Sequence, residues 1–194
     1  MSAADALGVI AARRSVGRLD PPGPDDDQLD TILGAATMAP DHKELRPWRF
    51  VVLRGEAKDS FGEILASTYL SRCQAAGTPP TEGQLHKERT KLGRAPVVVV
   101  AAVAPAADAP VPEVERLLAV GAAVQNLLLA ATALGFGSMW RTGDPAYDPA
   151  VVSALRLEEG ARVVGFVYLG SVPEDRRPPP HEPDTAGVVS RWEP

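Results

Sequence analysis

The chain has 194 residues, 45% apolar and 23% charged, with a formal net charge of −5. That supports one sizeable core, predicts a single domain over residues 1–194, and argues against a broad electrostatic grip on nucleic acid. The one cysteine, Cys73, makes no internal disulfide, and His42, His86 and His181 lack metal-ligand spacing, so neither a disulfide framework nor a metal site is expected.

Ser2 followed by Asp5 has the form of a capping box, with Leu7 and Ile10 on one face behind it. This predicts a first helix from about Ala4 to Arg13. Asp5 within the stretch and Arg13-Arg14 after it reverse the order of an export signal, so a reducing cytoplasm is the expected compartment. Asp20-Pro-Pro-Gly-Pro24 is a break. Asp25 to Asp27 favour a helix start, and Leu29, Ile32, Leu33 and Ala36 form its apolar stripe up to Pro40. Trp48 to Leu53 is aromatic and β-branched, hence a strand. Ala57 to Gln74 follows as a helix with Phe61, Ile64, Leu65 and Thr68 on one face.

Gly77 to Arg94 is polar and holds one short helix. Pro96 to Ala104 contains a continuous run, Val97 to Val100, which predicts a strand covered on both faces. A Pro/Ala linker, Pro105 to Val111, leads to a long helix from about Pro112 to Leu134, capped by Gly135. Leu117 to Trp140 carries no charge and is long enough to span a membrane. Gln125-Asn126 at its middle, among many Ala and Gly residues, identify a buried central helix instead, and no membrane partner is expected. Gly137 to Arg141 predicts a short strand, Pro149 to Leu155 a helix, and Val163 to Leu169 the last internal strand. Pro178 to Pro180 reads as an extended spacer, so residues 178–194 form a tail whose Val188 to Trp192 docks on its own body or on a second subunit. A doubly wound nucleotide fold opens with a strand and a Gly-rich turn, whereas this chain opens with two helices. The expected architecture is an α+β sandwich.

Four segments carry chemistry. Arg13-Arg14-Ser15 sets two guanidiniums and a hydroxyl side by side, able to hold a phosphate or to finish a helix in solvent. The turn from Ala39 to Phe50 concentrates Asp41, His42, Lys43, Glu44 and Arg46; His42 can donate to a ring, act as an acid, or cap the helix. Gly135-Phe-Gly-Ser-Met-Trp-Arg-Thr-Gly143 lets backbone approach a flat ligand beside Trp140 and Arg141, or caps a helix running into a core strand. Gly170 to Arg177 ends the last strand with two more arginines.

In this order and spacing the segments resemble the nitroreductase family of FMN-dependent oxidoreductases, from Ala4 to Trp192. Ala39-Pro-Asp-His-Lys43 and Trp140-Arg-Thr-Gly143 are most similar to its compact NAD(P)H nitroreductase subgroup. The resemblance implies a three-layer sandwich: a central, mostly antiparallel sheet with helices on both faces and a buried central helix. It implies a homodimer with FMN at the subunit interface, oxidising NADH or NADPH and reducing a small electron-poor acceptor, nitroaromatic or quinone in type, by a ping-pong scheme. Carried over, Arg13, Arg14 and Ser15 hold the FMN phosphate and ribityl chain. Met38, His42, Trp140, Arg141 and Thr142 are further flavin contacts. Either Arg176 or Arg177 adds a late phosphate contact. Ala130, Ala131, Thr132, Ala133, Leu134 and Gly135 match a nicotinamide-binding segment. Larger relatives carry a Ser-Ser-x-Asn-x-Gln turn where Asp41, His42, Glu44 and Arg46 stand here, which makes His42 the natural substitute and the one plausible proton donor. An FMN store or sensor without turnover, a dehalogenase-like relative and a flavin-free dimeric module are the competing readings.

Overall fold

A computed structural model of the chain describes residues 3–105, 110–176, 178–179 and 182–193. Ser2 of the expected capping box, the middle of the Pro/Ala linker, Arg177 and Pro180 lie outside the described residues.

Helix α1 spans Ala3–Ala12 and α2 spans Asp26–Ala36. At the start of α2 the Asp25 carboxylate accepts from Gln28 N at 2.8 Å, while Gln28 Oε1 accepts from Asp25 N at 3.0 Å. This reciprocal cap satisfies two backbone donors that the first helical turn leaves open. A 3₁₀ turn at His42–Glu44 precedes strand β1, Trp48–Arg54, and helix α3, Glu56–Ala75. Helix α4, Glu82–Thr90, starts at a second capping box from Thr81 to Gln84 and runs into a 3₁₀ turn, Lys91–Arg94. Strand β2, Val97–Val103, is buried at every position, as its unbroken apolar run predicts.

Helix α5, Glu113–Ala133, ends where Gly135 turns left-handed at φ +86°. Phe136 N donates to Ala131 O at 2.9 Å and Gly135 N to Thr132 O at 3.0 Å, the paired bonds of a Schellman cap. A side chain at Gly135 would strain that turn. Strand β3, Gly137–Arg141, and two short helices, α6 (Asp144–Tyr147) and α7 (Pro149–Ala154), lead to β4, Arg162–Gly170.

The four strands run in the order β1-β2-β4-β3, all antiparallel. One sheet face, with Val98, Val100, Phe166 and Tyr168, packs on Phe61 and Leu65 of α3, Leu92, and Val151 of α7. The other, with Val99, Ala101, Val167 and Leu169, packs on Ile32 of α2 and Val120, Val124 and Leu127 of α5. Helices therefore cover both faces of the sheet, giving the expected three layers.

Helix α5 is the one helix among the described residues long and apolar enough to cross a membrane. Its sheet-facing side is core, with Val120, Val124 and Leu127 fully buried. Its other side is open: Val114 is 60% and Leu118 67% exposed. Helix α1 packs on α5 and leaves Leu7 and Ile10 exposed as well. The expected buried central helix is thus buried on one side only in a single chain.

Candidate functional site

The loop after α1 is a sheet extension rather than a solvated helix end. Helix α1 stops at Ala12, Arg13 N closes the last turn on Val9 O at 3.0 Å, and Ser15 then forms a parallel bridge to Ser138 of β3. Val16 N donates to Ser138 O and Leu19 N to Arg94 O, at 3.0 and 2.8 Å. The arginine pair is thereby tied along the otherwise open edge of β3. The Arg14 guanidinium reaches Pro179 O, which brings the tail back to this loop.

A cavity of about 440 Å³ opens beside this edge. Lys87 of α4, Lys91 and Arg94 of the following turn, and Arg141 at the end of β3 bring four cationic side chains to its wall. Thr142 and Gly143 continue the rim, and Leu65, Leu92, Phe166 and Tyr168 make an apolar floor. Lys91 pairs with Glu88. No carboxylate among the described residues pairs with Lys87, Arg94 or Arg141. Arg141 is held by Nη2 donating to Gly17 O at 3.4 Å and by its guanidinium lying 5.8 Å from the centre of the Tyr168 ring. Its Nε is buried without a hydrogen-bond partner, a donor that folding alone leaves unsatisfied. Burial pushes the Tyr168 hydroxyl above its ordinary range, against the pull of Arg141 and Arg94, so it stays a neutral donor.

The structure brings Arg141 and Thr142 to this cavity, with the loop of Arg13, Arg14 and Ser15 along the same edge. It places the other expected residues elsewhere. The Trp140 indole lies on the opposite sheet face, against the α2/α5 core, with Nε1 donating to Val164 O at 3.3 Å. Ala130 to Gly135 close α5 on that same face, where Thr132 Oγ1 donates to Leu128 O at 2.9 Å. Arg176, 52% exposed, stands beside Asp175 in a 3₁₀ turn after β4, and Arg177 lies outside the described residues.

Met38, 80% exposed, follows α2, and His42 opens the 3₁₀ turn that precedes β1; neither lines the cavity of its own chain. His42 Nδ1 meets Glu115 Oε2 of α5 at 2.6 Å. Lys43, Glu44 and Arg46 all take positive φ, at 61°, 51° and 47°. Left-handed backbone at non-glycine residues stores strain, and such strain gathers where a turn serves a ligand or an interface.

Lys87, Lys91, Arg94 and Tyr168 were not among the residues expected from sequence. A signal existed for the first three: positions 87, 91 and 94 are spaced four and three apart, one face of a helical turn. Tyr168 looks like any strand residue until the fold sets Arg141 over it.

Fold and cavity together define a three-layer α+β protein with a cavity whose wall carries four cationic side chains over an apolar floor. The comparisons with known proteins give its family. The nitroreductase family model matches residues 10–171, and the chain belongs to that family. It is 36% identical over 167 residues to the putative NAD(P)H nitroreductase YdjA of Escherichia coli (strain K12), across 86% of this chain and 88% of that one. Among solved structures, a nitroreductase with bound FMN from Desulfitobacterium hafniense is 25% identical, with a TM-score of 0.68 over 99% of this chain and all of that one. A nitroreductase-like protein from Bacillus cereus shares the fold at a TM-score of 0.79 and 24% identity, covering 97% of this chain and 96% of that one.

Proposed function

We infer that this protein is an FMN-dependent oxidoreductase that carries electrons from NADH or NADPH to a small electron-poor acceptor, nitroaromatic or quinone in type. The observation that carries the reading is the four-cation cavity, with the unsatisfied Nε of Arg141 in its wall and the Arg13-Arg14-Ser15 loop along its edge. A flavin mononucleotide is anionic at one end and planar and apolar at the other. The Arg13-Arg14-Ser15 loop along the edge suits the anionic end, and the cavity's apolar floor suits the ring, so the residues present fit the group.

Arg13, Arg14 and Ser15 hold the phosphate and ribityl chain, with Arg176 or Arg177 adding a phosphate contact from after β4. Lys87, Lys91, Arg94 and Arg141 face the ring and stabilise negative charge that develops there on reduction. Leu65, Leu92 and Phe166 exclude water beneath it. Tyr168, kept neutral by burial, donates a hydrogen bond rather than a proton. When bound, FMN would supply the redox chemistry, hydride uptake from the nicotinamide and electron delivery to the acceptor. The protein itself needs no nucleophile; His42 is the candidate proton donor.

The reading includes a homodimer. Met38 and His42 do not line the cavity of their own chain, and a second copy brings them to the flavin. The open apolar side of α1 and α5, with Leu7, Ile10, Val114 and Leu118, supports such an interface. The chain is one domain, working in the cytoplasm. Residues 178–194 dock on the partner through Val188, Val189 and Trp192, which are 79%, 59% and 86% exposed on their own chain.

The test is optical. The purified protein carries flavin absorbance in the visible range, and anaerobic NADH or NADPH bleaches it. Protein that stays colourless after incubation with FMN contradicts the reading. Bound flavin that neither nucleotide bleaches returns it to a flavin store.

A further inference from the structure

Strand β3 carries Arg141 and Thr142 into the cavity, yet it is an edge strand whose ladder stops at the Arg141–Phe166 pair. The bridge from Ser15 meets it at Ser138, three residues earlier. Something else must hold the end of the strand where the cavity begins. The Trp140 indole crosses back over β4, and its Nε1 donates to Val164 O at 3.3 Å, two residues beyond the last ladder pair. It crosses at Gly165. A Cβ there would lie 2.1 Å from Trp140 Nε1, 2.6 Å from Cδ1 and 2.8 Å from the Arg141 carbonyl oxygen. None of these approaches is possible for a residue with a side chain.

We propose that Trp140 and Gly165 form a clasp, indole in glycine seat, that fixes the end of β3 and so positions Arg141 in the cationic cavity. Both are positioning residues for the flavin site, acting through Arg141 from the opposite sheet face. The proposal rests on the flavin reading above. It gives the indole a different task from ring contact: the side chain that adjoins the site in sequence never faces it.

Gly165→Ala fills the seat, and Trp140→Leu removes the indole without adding an atom, which keeps the test open if the first variant does not fold. FMN dissociation constants are read from flavin fluorescence for the parent, each variant, and each variant combined with Arg141→Ala. The expected result is an increase of about tenfold or more in the constant for either single variant. In the Arg141→Ala background the same substitutions change it by no more than about twofold, because the residue they act through is gone. Parent-like FMN affinity in a folded Trp140→Leu protein overturns the clasp, as do effects that add in full to that of Arg141→Ala. Failure of the parent to bind FMN overturns the flavin reading and the clasp with it; loss of affinity in Arg141→Ala alone overturns only the clasp.

Discussion

Two corners of the molecule treat charge differently. Around the start of β1 and of α5 several exposed side chains are paired one to one: Arg49 with Glu158 at 2.9 Å and Arg162 with Glu113 at 2.6 Å, while His42 Nδ1 meets Glu115 at 2.6 Å. At the end of β3 four cations share one cavity, and Glu88 meets one of them. One-to-one pairing marks the first corner, although its buried Arg116 donates to Ala104 O and has no carboxylate partner among the described residues. The cavity wall gathers more cations than carboxylates, and like charges gathered without counter-ions disfavour the fold unless an anion arrives. On the proposed flavin reading, the cation-rich corner is the one that receives the ligand, while the paired corner with its strained turn serves as structure.

That contrast can be broken at either corner. The largest effect is expected in the cavity. One charge-assisted contact is worth about 1.5–3 kcal/mol, or roughly one to two decades in affinity. Lys87→Ala with Arg141→Ala is therefore expected to weaken FMN binding by about two decades or more in equilibrium titrations. Next comes the adjoining loop, where Arg13→Ala with Arg14→Ala costs roughly one to two decades in the same titration. Parent-like affinity in that pair would return the loop to a plain sheet extension. Third, Leu118→Asp places a charge on the open side of α5. Sedimentation is expected to show monomers that have also lost tight FMN binding, whereas an unchanged dimer would move the interface elsewhere. The smallest effect belongs to the corner around the start of α5. Arg162→Gln breaks a pair about half exposed on both sides, so stability falls by less than about 1 kcal/mol in denaturant melts and FMN affinity stays put. A large loss of FMN there would erase the distinction between the corners.

The fold was legible where local chemistry and burial agree. The Val97 to Val100 run announced a strand covered on both faces, Asp25 the start of α2, and Gly135 the end of α5. The cavity was legible in half. Arg13-Arg14-Ser15 and Arg141-Thr142 stand in recognisable segments, whereas Lys87, Lys91 and Arg94 sit in a polar stretch whose partner surface exists only once α4 lies beside β4. Trp140 shows the limit most clearly. Its neighbour Arg141 faces the cavity, but strand alternation sends the indole to the other sheet face, and only Gly165, 25 positions on, explains where it rests. From the residues alone the first loop stays open between a phosphate contact and a helix end, because its bridge to Ser138 joins segments more than a hundred residues apart.

The central claim is that a working site takes its cavity from one chain and its Met38–His42 turn from another. Hybrid dimers test it directly. One chain carries Lys87→Ala and Arg141→Ala, the other Met38→Ala and His42→Ala, and two different affinity tags isolate the mixed species. In the hybrid one site receives both damaged parts and the other receives two intact ones. The account predicts that neither parent variant dimer binds FMN tightly, while the hybrid binds one FMN per dimer with the affinity of the unmodified protein. A hybrid with no tight site, measured by the same titration, would contradict it.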